Sequence, residues 1–433
     1  MSGAEAPLKV ALGGLGTVGA GVLRLLRENA ELIAARAGRP IEVVAVSARD
    51  RTRDRGVSLE GLRWYDAAPD LVGDNDVDVV AEMIGGAEGM GRRLVEAALA
   101  KGKPVVTANK ALIAVHGAAL AAAAERAGVP LTFEAAVAGG IPVIKALREG
   151  LAANHLTRVA GILNGTCNYI LTAMTRDGGE FADVLAEAQR LGYAEADPRF
   201  DVDGIDAAHK LAILAALAFG RPVAFDAVHV EGIRRISALD IAFAAQLGYT
   251  IKLLGIARRT EAGVEARVHP CMLPHDAPLA RVDGVFNAVV VEGDFVGRVM
   301  LQGRGAGAGP TASAVVADLI DIARGHTTPV WGAASESLSH APSLPMAAHV
   351  GAYYLRLMVT DRPGVIADVT AVLRDEGISL ESMLQRARNP AESVPVVLVT
   401  HATGEAAMIR ALERIAALDA VMESPTLIRI EPA

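Results

Sequence analysis

The sequence is poor in cysteine, in blocks of like charge and in long apolar runs. Only two cysteines, Cys167 and Cys271, occur in 433 residues, which argues against a disulfide framework or a metal-spaced cluster and favours a reducing compartment. There is no block of lysine and arginine, and the formal net charge is −8, so neither nucleic acid nor a membrane surface is expected as a partner. No apolar run is long enough to cross a membrane, and MSGAEAPLKV lacks the features of a signal peptide. We therefore expect a cytoplasmic protein that acts on small molecules.

The first part of the chain alternates between short β-branched runs and helical stretches rich in alanine and leucine. Between Leu8 and about Glu134 the strand-like runs are LKVALGG, IEVVAVSA, VDVVAEMIG, PVVTANK and LTFEAAV. Continuous apolar strands separated by helices predict a parallel sheet covered on both faces. We predict a Rossmann-like, doubly wound α/β domain over residues 1–141, completed by a helix at about 311–330.

Two further domains are predicted after residue 141. Residues 142–310 combine helices with several alternating strands, which predicts an α+β domain with a mixed sheet. The stretch 331–348 is rich in Ser, Pro, Ala and His without periodicity, and is typical of a linker. Residues 349–433 follow the order βαββαβ, which predicts a small independent α+β domain.

A glycine-rich turn, GLGTVG at residues 14–19, follows the first predicted strand and opens the first helix. Its glycines allow a tight turn and close approach of the backbone to a pyrophosphate, while the helix start supplies free N–H groups. A plain glycine turn is the alternative, but the strand–turn–helix context favours dinucleotide binding. The residues expected at the cofactor are Gly14, Gly16, Thr17, Val18 and Gly19.

The tip of the second strand bears on the choice of cofactor. Arg49 and Asp50 follow this strand. An arginine there favours the 2′-phosphate of NADP, whereas a carboxylate takes the ribose hydroxyl of NAD. Because Arg49 comes first, the sequence favours NADP and leaves NAD open.

Further polar residues follow later strands at the same predicted sheet edge. Lys110 closes TANK, and Glu134 with the turn 138–142 ends the next strand. Ligands bind at this edge in such folds, although a single lysine can also be a solvated surface group. The loops 164–166 and 304–311 each lead into a helix, where capping is the alternative to ligand contact. The second loop has more glycines than capping alone requires.

A charged pair lies in an otherwise apolar helical stretch. Asp206 and Lys210 are four residues apart and share one helix face, among Ala, Leu, Ile and Phe. The pair is compatible with an internal salt bridge, or with a lysine that acts as a general acid or base. Asp206 can orient Lys210 or bind the ammonium group of a substrate.

Together these segments resemble homoserine dehydrogenase over about residues 8–330. The segments that carry the resemblance are GLGTVG, TANK, EAAVAGGIP, NGTCNYIL, GYAEADPRFDVDGIDAAHK and RGAGAGPTASAVVADL. The later segment DRPGVIADVTAVLRDEGIS resembles an ACT domain, a βαββαβ module that commonly binds amino acids between copies. The resemblance implies that residues 142–310 bind the substrate and form the dimer, and that residues 349–433 form a regulatory ACT domain.

The resemblance also implies catalytic and substrate-binding roles. Lys210 matches the proton donor to the aldehyde oxygen, and Lys110 matches a lysine beside cofactor and substrate. Glu195 and Asp206 match the acids that hold the substrate amino group. Phe200 departs from the pattern, because some members carry Asp there.

The family further implies cofactor and cation contacts. Gly192 and Gly307 match glycines that approach the cofactor. A structural, sodium-like monovalent ion lies in the family against positions that match Glu134, Val137, Gly139 and Ile141.

The implied activity is the NAD(P)-dependent interconversion of L-aspartate 4-semialdehyde and L-homoserine, in threonine, methionine and isoleucine biosynthesis. A silent amino-acid sensor and another ACT-bearing dehydrogenase are the alternatives. The chain is expected to form a homodimer or homotetramer, with an amino acid such as L-threonine as a possible effector at the ACT domain.

Overall fold

The computed structural model describes residues 6–385 and 393–432. The predicted strand ISLESMLQR reaches Arg386, which lies outside the described residues, as do residues 1–5 of the predicted first domain. Within the described residues, no helix combines the length and the apolar character that crossing a membrane requires.

The first domain contains a six-stranded parallel sheet. Its strands are β1 (Leu8–Gly13), β2 (Ile41–Ser47), β3 (Arg63–Tyr65), β4 (Val79–Glu82), β5 (Val105–Thr107) and β6 (Leu131–Thr132). The sheet order is β3-β2-β1-β4-β5-β6, which is that of a dinucleotide-binding fold. The helices are α1 (Thr17–Glu28), α2 (Ala30–Ala37), α3 (Met90–Ala100) and α4 (Lys110–Ala127).

The second domain is built on a long mixed sheet with helices on one face. Its strands are β7 (Leu156–Ile162), β8 (His229–Val230), β9 (Tyr249–Thr260), β10 (Gly263–Pro274), β11 (Phe286–Gly293) and β12 (Gly297–Arg304). Its helices are α5 (Val143–Lys145), α6 (Gly165–Asp177), α7 (Phe181–Arg190), α8 (Arg199–Val202), α9 (Ile205–Phe219) and α10 (Ala238–Gln246). Helix α9 is buried almost along its whole length against this sheet.

A helix after the second domain returns to the first. This helix, α11 (Ala308–Ala323), packs on α1 and joins the core of the dinucleotide-binding sheet. The contact is close, because a Cβ at Gly21 would lie 2.8 Å from the carbonyl oxygen of Ala308. The loop before α11 is thereby fixed beside the carboxyl edge of the first sheet.

The third domain has the predicted βαββαβ order, with one additional two-residue strand before its second helix. Its elements are β13 (Val350–Thr360), α12 (Val365–Asp375), β14 (Leu380–Gln385), β15 (Ser393–Thr400), β16 (Thr403–Gly404), α13 (Glu405–Ala416) and β17 (Thr426–Ile430). Strand β17 pairs with β10, so that one sheet continues from the second domain into the third in the order β12-β11-β7-β9-β10-β17-β13-β15-β14. The predicted fold class is confirmed, and the third domain is joined to the second by a shared sheet.

The stretch predicted as a linker, 331–348, packs along the rest of the protein. Trp331 is fully buried, with its ring 5.5 Å from that of Phe133. Further on, the amide of Val264 donates to the carbonyl of Pro342, and that of Leu344 donates to the carbonyl of Val264. These contacts hold the approach to the third domain against the second.

Candidate active site

A cleft of about 600 Å³ lies between the first and second domains. It is formed by the ends of first-sheet elements, the loop after β7, the segment before α8 and the loop before α11. The predicted site residues that line it are Thr17, Val18, Lys110, Gly139, Gly192, Glu195, Asp206, Lys210 and Gly307. The predicted residues that do not line it are Gly14, Gly16, Gly19, Arg49, Glu134, Val137 and Ile141.

One buried carboxylate pairs with two lysines at the centre of the cleft. The Nζ of Lys210 lies 2.6 Å from Oδ2 of Asp206, one helical turn earlier on α9. The Nζ of Lys110, at the start of α4, lies 3.0 Å from Oδ1 of the same carboxylate. Asp206 and Lys210 are buried, whereas about a third of the Lys110 side chain is exposed. The network therefore carries two cations for one anion.

The loop after β7 supplies further partners. Lys210 donates to the carbonyl oxygen of Leu163 at 2.7 Å. The side-chain amide of Asn164 donates to Asp206 at 2.8 Å and to Asp201 at 2.7 Å. Asn164 also caps α6 by accepting from the amide of Cys167, so helix capping and site assembly occur at the same residue.

Burial and charge act in opposite directions on these groups. Burial lowers the pKa of Lys210, and the charge of Asp206 opposes this effect only in part. Burial alone would raise the pKa of Asp206, but the charges of Lys210 and Lys110 hold it well below its usual range. Asp206 therefore stays ionised, and it lies beside a lysine that releases its proton more readily than usual.

The first glycine turn is shaped as a nucleotide loop requires. Gly14 has a φ of +99°, and a Cβ there would lie 2.6 Å from the carbonyl oxygen of Met83. A Cβ at Gly19 would lie 2.1 Å from the carbonyl oxygen of Gly14, whereas a Cβ at Gly16 would meet nothing within 4 Å. The outer two glycines therefore serve the turn and helix packing, and the open space at Gly16 is available to a ligand.

The tip of β2 is strongly basic. Arg49 is exposed, and Asp50 accepts hydrogen bonds from Thr52 and from the amide of Arg53, which engages this carboxylate in a turn. Nearby, the guanidinium groups of Arg51 and Arg55 lie 5.8 and 5.7 Å from the centre of the Trp64 ring. The tip thus offers cations to a phosphate, and its two acids, Asp50 and Asp54, each accept hydrogen bonds from nearby backbone amides.

The segment before α8 forms the outer wall of the cleft. Glu195 is exposed, and its backbone carbonyl accepts from the side chain of Gln189. Gly192 has a φ of +76°, which suits glycine at this turn. Phe200 lies with its ring centre 5.5 Å from the Nζ of Lys110, so the position that departs from the family pattern still contacts the lysine pair.

The loop before α11 closes the opposite wall. Gly307 has a φ of +118° and precedes the helix. A Cβ at Gly139 would lie 2.5 Å from the carbonyl oxygen of Gly305, so two of the predicted ligand loops contact each other. Asn287 on β11 lines the same wall, is 1% exposed, and has no hydrogen-bond partner for either side-chain polar atom among the described residues.

Glu134 lies beneath the cleft. Its two carboxylate oxygens accept from the amides of Ile144 and Lys145 at 3.0 and 2.8 Å, and its own amide donates to Asp318. Burial raises its pKa to about 7, and the neighbouring charge of Asp318 adds to this effect. Among the described residues, none donates a hydrogen bond to the carbonyl of Val137. A buried carboxylate whose negative charge is disfavoured, and a carbonyl without a donor three residues later, are groups that a cation can bind.

Sequence reasoning missed Asn287, Tyr193, Arg51 and Arg55. Asn287 had a signal, since it is a single amide in the apolar run FNAVVV. The arginines had one too, in the repeated arginines of RDRTRDR. Tyr193 had no signal beyond its place in a motif, because its position on the cleft wall is set by tertiary packing.

Comparison with known families decides the identity of this arrangement. Residues 142–320 match the homoserine dehydrogenase family, and residues 14–134 match the NAD-binding domain of homoserine dehydrogenase. The chain belongs to the homoserine dehydrogenase family. Residues 353–417 match the ACT domain, so the third domain is an ACT domain.

Close relatives of this family cover the chain almost completely. A homoserine dehydrogenase of Pseudomonas aeruginosa is 50% identical over 98% of this chain and 99% of its own length. The crystal structure of a homoserine dehydrogenase from Thiobacillus denitrificans is also 50% identical, with a TM-score of 0.94 and 99% of each chain covered. A hyperthermophilic archaeal homoserine dehydrogenase in complex with NADPH is 26% identical, with a TM-score of 0.64, and covers 75% of this chain and 100% of its own.

The predicted family and activity are confirmed. The chain is an oxidoreductase of amino-acid biosynthesis that interconverts L-aspartate 4-semialdehyde and L-homoserine with a nicotinamide cofactor. The same matches set aside the other ACT-bearing dehydrogenases, and an assay of homoserine-dependent NADP reduction tests the silent sensor.

Proposed function

We propose that the cleft performs this reaction with NADP(H), with Lys210 as the proton donor and Asp206 as the group that positions both lysines. The observation that carries the proposal is the single buried carboxylate shared by Lys210 and Lys110. The cofactor, held at the GLGTVG turn, supplies or accepts the hydride.

The hydrogen bonds of Lys210 leave it one proton for the substrate. An ammonium group has three N–H donors. Two of those of Lys210 are used, one by the carbonyl oxygen of Leu163 and one by the carboxylate of Asp206. The third donor is available to the aldehyde oxygen, where it stabilises the developing alkoxide and then transfers the proton. Burial lowers the pKa of Lys210, which makes the transfer easier.

The substrate ammonium group requires a carboxylate that is not already paired. Asp206 is engaged by two lysines, whereas the Glu195 carboxylate forms no ion pair with any described residue. We assign Glu195 as the main partner of the amino group, with Asp206 adding its charge from below.

The assignment is tested by steady-state oxidation of L-homoserine with NADP. Glu195→Gln should raise KM for homoserine about tenfold and leave KM for NADP unchanged, because one charge-assisted contact is lost. Glu42→Gln, an exposed position on β2, is the matched control. An unchanged KM in Glu195→Gln contradicts this role, and no activity in the parent enzyme contradicts the whole proposal.

A structural monovalent cation beside Glu134 is proposed as well, with the carbonyls of Val137, Gly139 and Ile141 as its remaining ligands. The turn supports it, because Ala138 and Gly139 have φ values of +56° and +52°, two consecutive left-handed residues. Sodium chloride should raise the thermal midpoint more than choline chloride at equal ionic strength. Equal midpoints in the two salts contradict the site.

For the ACT domain we propose L-threonine as effector, bound at the turn 361–365. Gly364 has a φ of +95° and precedes α12, whose first amides are free to hold a carboxylate. Asp361 contributes a buried carboxylate oxygen without a hydrogen-bond partner among the described residues, and this oxygen can bind an ammonium group. Asp361→Ala should therefore abolish inhibition by millimolar threonine while kcat stays near normal.

Point variants are the better test, because removal of residues from 349 onward would also strip β17 from β10. If the parent enzyme neither binds nor responds to threonine, isoleucine, methionine or lysine, a purely dimerising ACT domain remains. The assembly is proposed as a homodimer or homotetramer, which light scattering of the purified protein distinguishes. The cytoplasmic location stays a prediction from the sequence.

A further inference from the structure

A second cavity, of about 690 Å³, lies where the catalytic and ACT domains meet. Its catalytic wall comes from β7, β9, β10, β11 and β12, and its ACT wall comes from the start of β13, the turn after β15 and the residues around the end of β17. It shares no lining residue with the catalytic cleft. A ligand here would touch both domains without competing for the substrate site.

The catalytic wall has more cations than anions. Five arginines line the cavity, namely Arg158, Arg258, Arg259, Arg267 and Arg298. The acids among the lining residues are Glu292 and Glu431. Glu292 is shared by Arg158 at 3.2 Å and Arg298 at 3.1 Å, and Glu431 is shared by Arg158 at 3.4 Å and Arg267 at 2.6 Å. Glu265, just outside the lining, also pairs with Arg267 at 2.9 Å. Five arginines thus meet three carboxylates, and positive charge is left over.

Two arginines face each other directly across the sheet. The register places Arg158 of β7 opposite Arg258 of β9. Like charges opposite each other destabilise a strand pair. Glu292 and Glu265 flank the two arginines in the same cross-strand row, but the side chain of Arg258 is exposed and forms no hydrogen bond or ion pair within the described part of the chain. It is therefore the arginine most available to a ligand.

Buried donors at the same wall also lack partners. Arg267 is 3% exposed, and its Nε has no hydrogen-bond partner among the described residues. His349, which precedes the first ACT strand, is 5% exposed, and its Nδ1 lies 3.7 Å from Oε2 of Glu265, too far for a hydrogen bond. Buried polar atoms without partners are rare in folded proteins and point to an absent ligand or water.

We propose that this cavity is a binding site for a small dianion, a phosphate ester or a dicarboxylate, that bridges the catalytic and ACT domains. Arginine forks hold phosphate and carboxylate oxygens in a bidentate way, which fits the wall of Arg158 and Arg258. The ACT wall, with Gly351, Ala352 and Ala402, is uncharged at these positions and leaves room for the organic part of the ligand.

Titration calorimetry on the full-length enzyme tests the site. Saturating NADP is present throughout, so that phosphate cannot enter the nucleotide site, and ionic strength is kept constant with chloride. Inorganic phosphate and succinate serve as probes. We expect saturable binding of at least one probe, and the preferred probe tells a phosphate ester from a dicarboxylate.

Arg258→Gln should weaken this binding about tenfold, whereas Arg36→Gln, an exposed arginine of α2, should leave it unchanged. Because Arg258 forms no ion pair, the variant should fold as the parent does. The site is overturned if neither probe saturates below about ten millimolar, or if Arg258→Gln binds as the parent does.

A substitution on the ACT wall tests whether the anion bridges the two domains. Ala402 is exposed and lines the cavity. Ala402→Asp should weaken binding by a similar factor through like-charge repulsion, and Ala402→Ser should not. If Ala402→Asp binds normally while Arg258→Gln does not, the anion lies on the catalytic wall alone and does not bridge the domains.

Discussion

The catalytic cleft and the core of the junction between the catalytic and ACT domains are both built on buried charge, but in opposite ratios. In the cleft, Lys110 and Lys210 share the one carboxylate of Asp206. In the junction core, Arg429 is held by two carboxylates, Glu231 and Glu405, through four hydrogen bonds. The junction core surrounds its cation with an excess of carboxylate, whereas the cleft surrounds its carboxylate with an excess of cations and leaves a donor for the substrate.

A similar saturated arrangement secures the other end of the junction. Asp240, fully buried on α10, accepts from Arg356 at 2.6 Å and from Tyr354 at 3.1 Å, both on β13. It also closes a capping box with Ser237. At both ends of the junction the buried cation is matched by carboxylate, whereas the unfilled donor of Lys210 faces a cleft and marks chemistry.

The largest expected effect is a loss of catalysis in the cleft. Lys210→Ala should lower kcat by about two to four powers of ten, because the lost contact belongs to the transition state. KM for NADP should stay near its parent value. Lys110→Ala, measured in parallel, shows which lysine dominates proton transfer. A Lys210→Ala enzyme with more than about a third of parent kcat contradicts the assignment, since that loss is under ~1 kcal/mol of barrier.

The next largest effect is a loss of stability at the junction of the catalytic and ACT domains. Arg429→Met leaves Glu405 buried without its cation, which should cost about 3–5 kcal/mol in the free energy of unfolding. The thermal midpoint should fall clearly, while kcat of the remaining folded enzyme changes little. Arg414→Met is the control, because Arg414 pairs with Asp375 and Glu376 at an exposed site and should cost under about 1 kcal/mol. Equal losses in the two variants would remove the distinction between buried and exposed networks.

A third effect concerns His209, a neutral buried group on the helix of the lysine pair. Its ring stacks 4.3 Å from that of Phe225, and burial lowers its pKa from 6.5 to about 4. A histidine with a lowered pKa stabilises the fold fully above pH 6.5, and this contribution is lost as the pH falls toward 4. The loss amounts to about 3 kcal/mol.

His209→Phe keeps a ring at this position but cannot take up a proton. Its thermal midpoint should therefore fall less than that of the parent between pH 7 and pH 4.5. Parallel curves for the two proteins would show that His209 does not titrate in this range.

The smallest expected effect is on the preference for NADP over NAD at the edge of the cleft. Arg49→Ala should raise KM for NADP about tenfold and KM for NAD much less, since one guanidinium contact to the 2′-phosphate is lost. Arg36→Ala serves as the control for a general loss of positive charge. Equal increases for NADP and NAD would assign the preference to other residues of the β2 tip, where Arg51, Arg53 and Arg55 follow in sequence.

The sequence predicted those parts of the site that depend on local spacing. The pairing of Asp206 with Lys210 followed from four-residue spacing on a helix, and the GLGTVG turn followed from its place between strand and helix. The contact of Lys110 with Asp206 joins residues of two domains, and its distance depends on how the first sheet docks on the second. No local pattern encodes that docking, so residue patterns alone did not place Lys110 on Asp206.

The fold shows the same division. The parallel first sheet and the βαββαβ unit were predicted from periodicity, because each is built from neighbours in sequence. The pairing of β17 with β10 was not predicted, since it joins strands with the whole ACT domain between them. The packing of Trp331 against Phe133 was missed for the same reason, within a stretch that reads as a linker.

The shared sheet has a consequence for how the chain is made. Strand β10 pairs with β9 along its length, but its other edge depends at Cys271 and Met272 on β17, which follows every other strand described. During synthesis β8 can cover this edge at Arg267 and Val268, but Cys271 and Met272 stay unpaired until the ACT domain has emerged, and an unpaired edge is a template for pairing with another nascent chain. We therefore expect the ACT domain also to shield this part of the newly made catalytic sheet from aggregation, a role that ends before the enzyme meets its substrate.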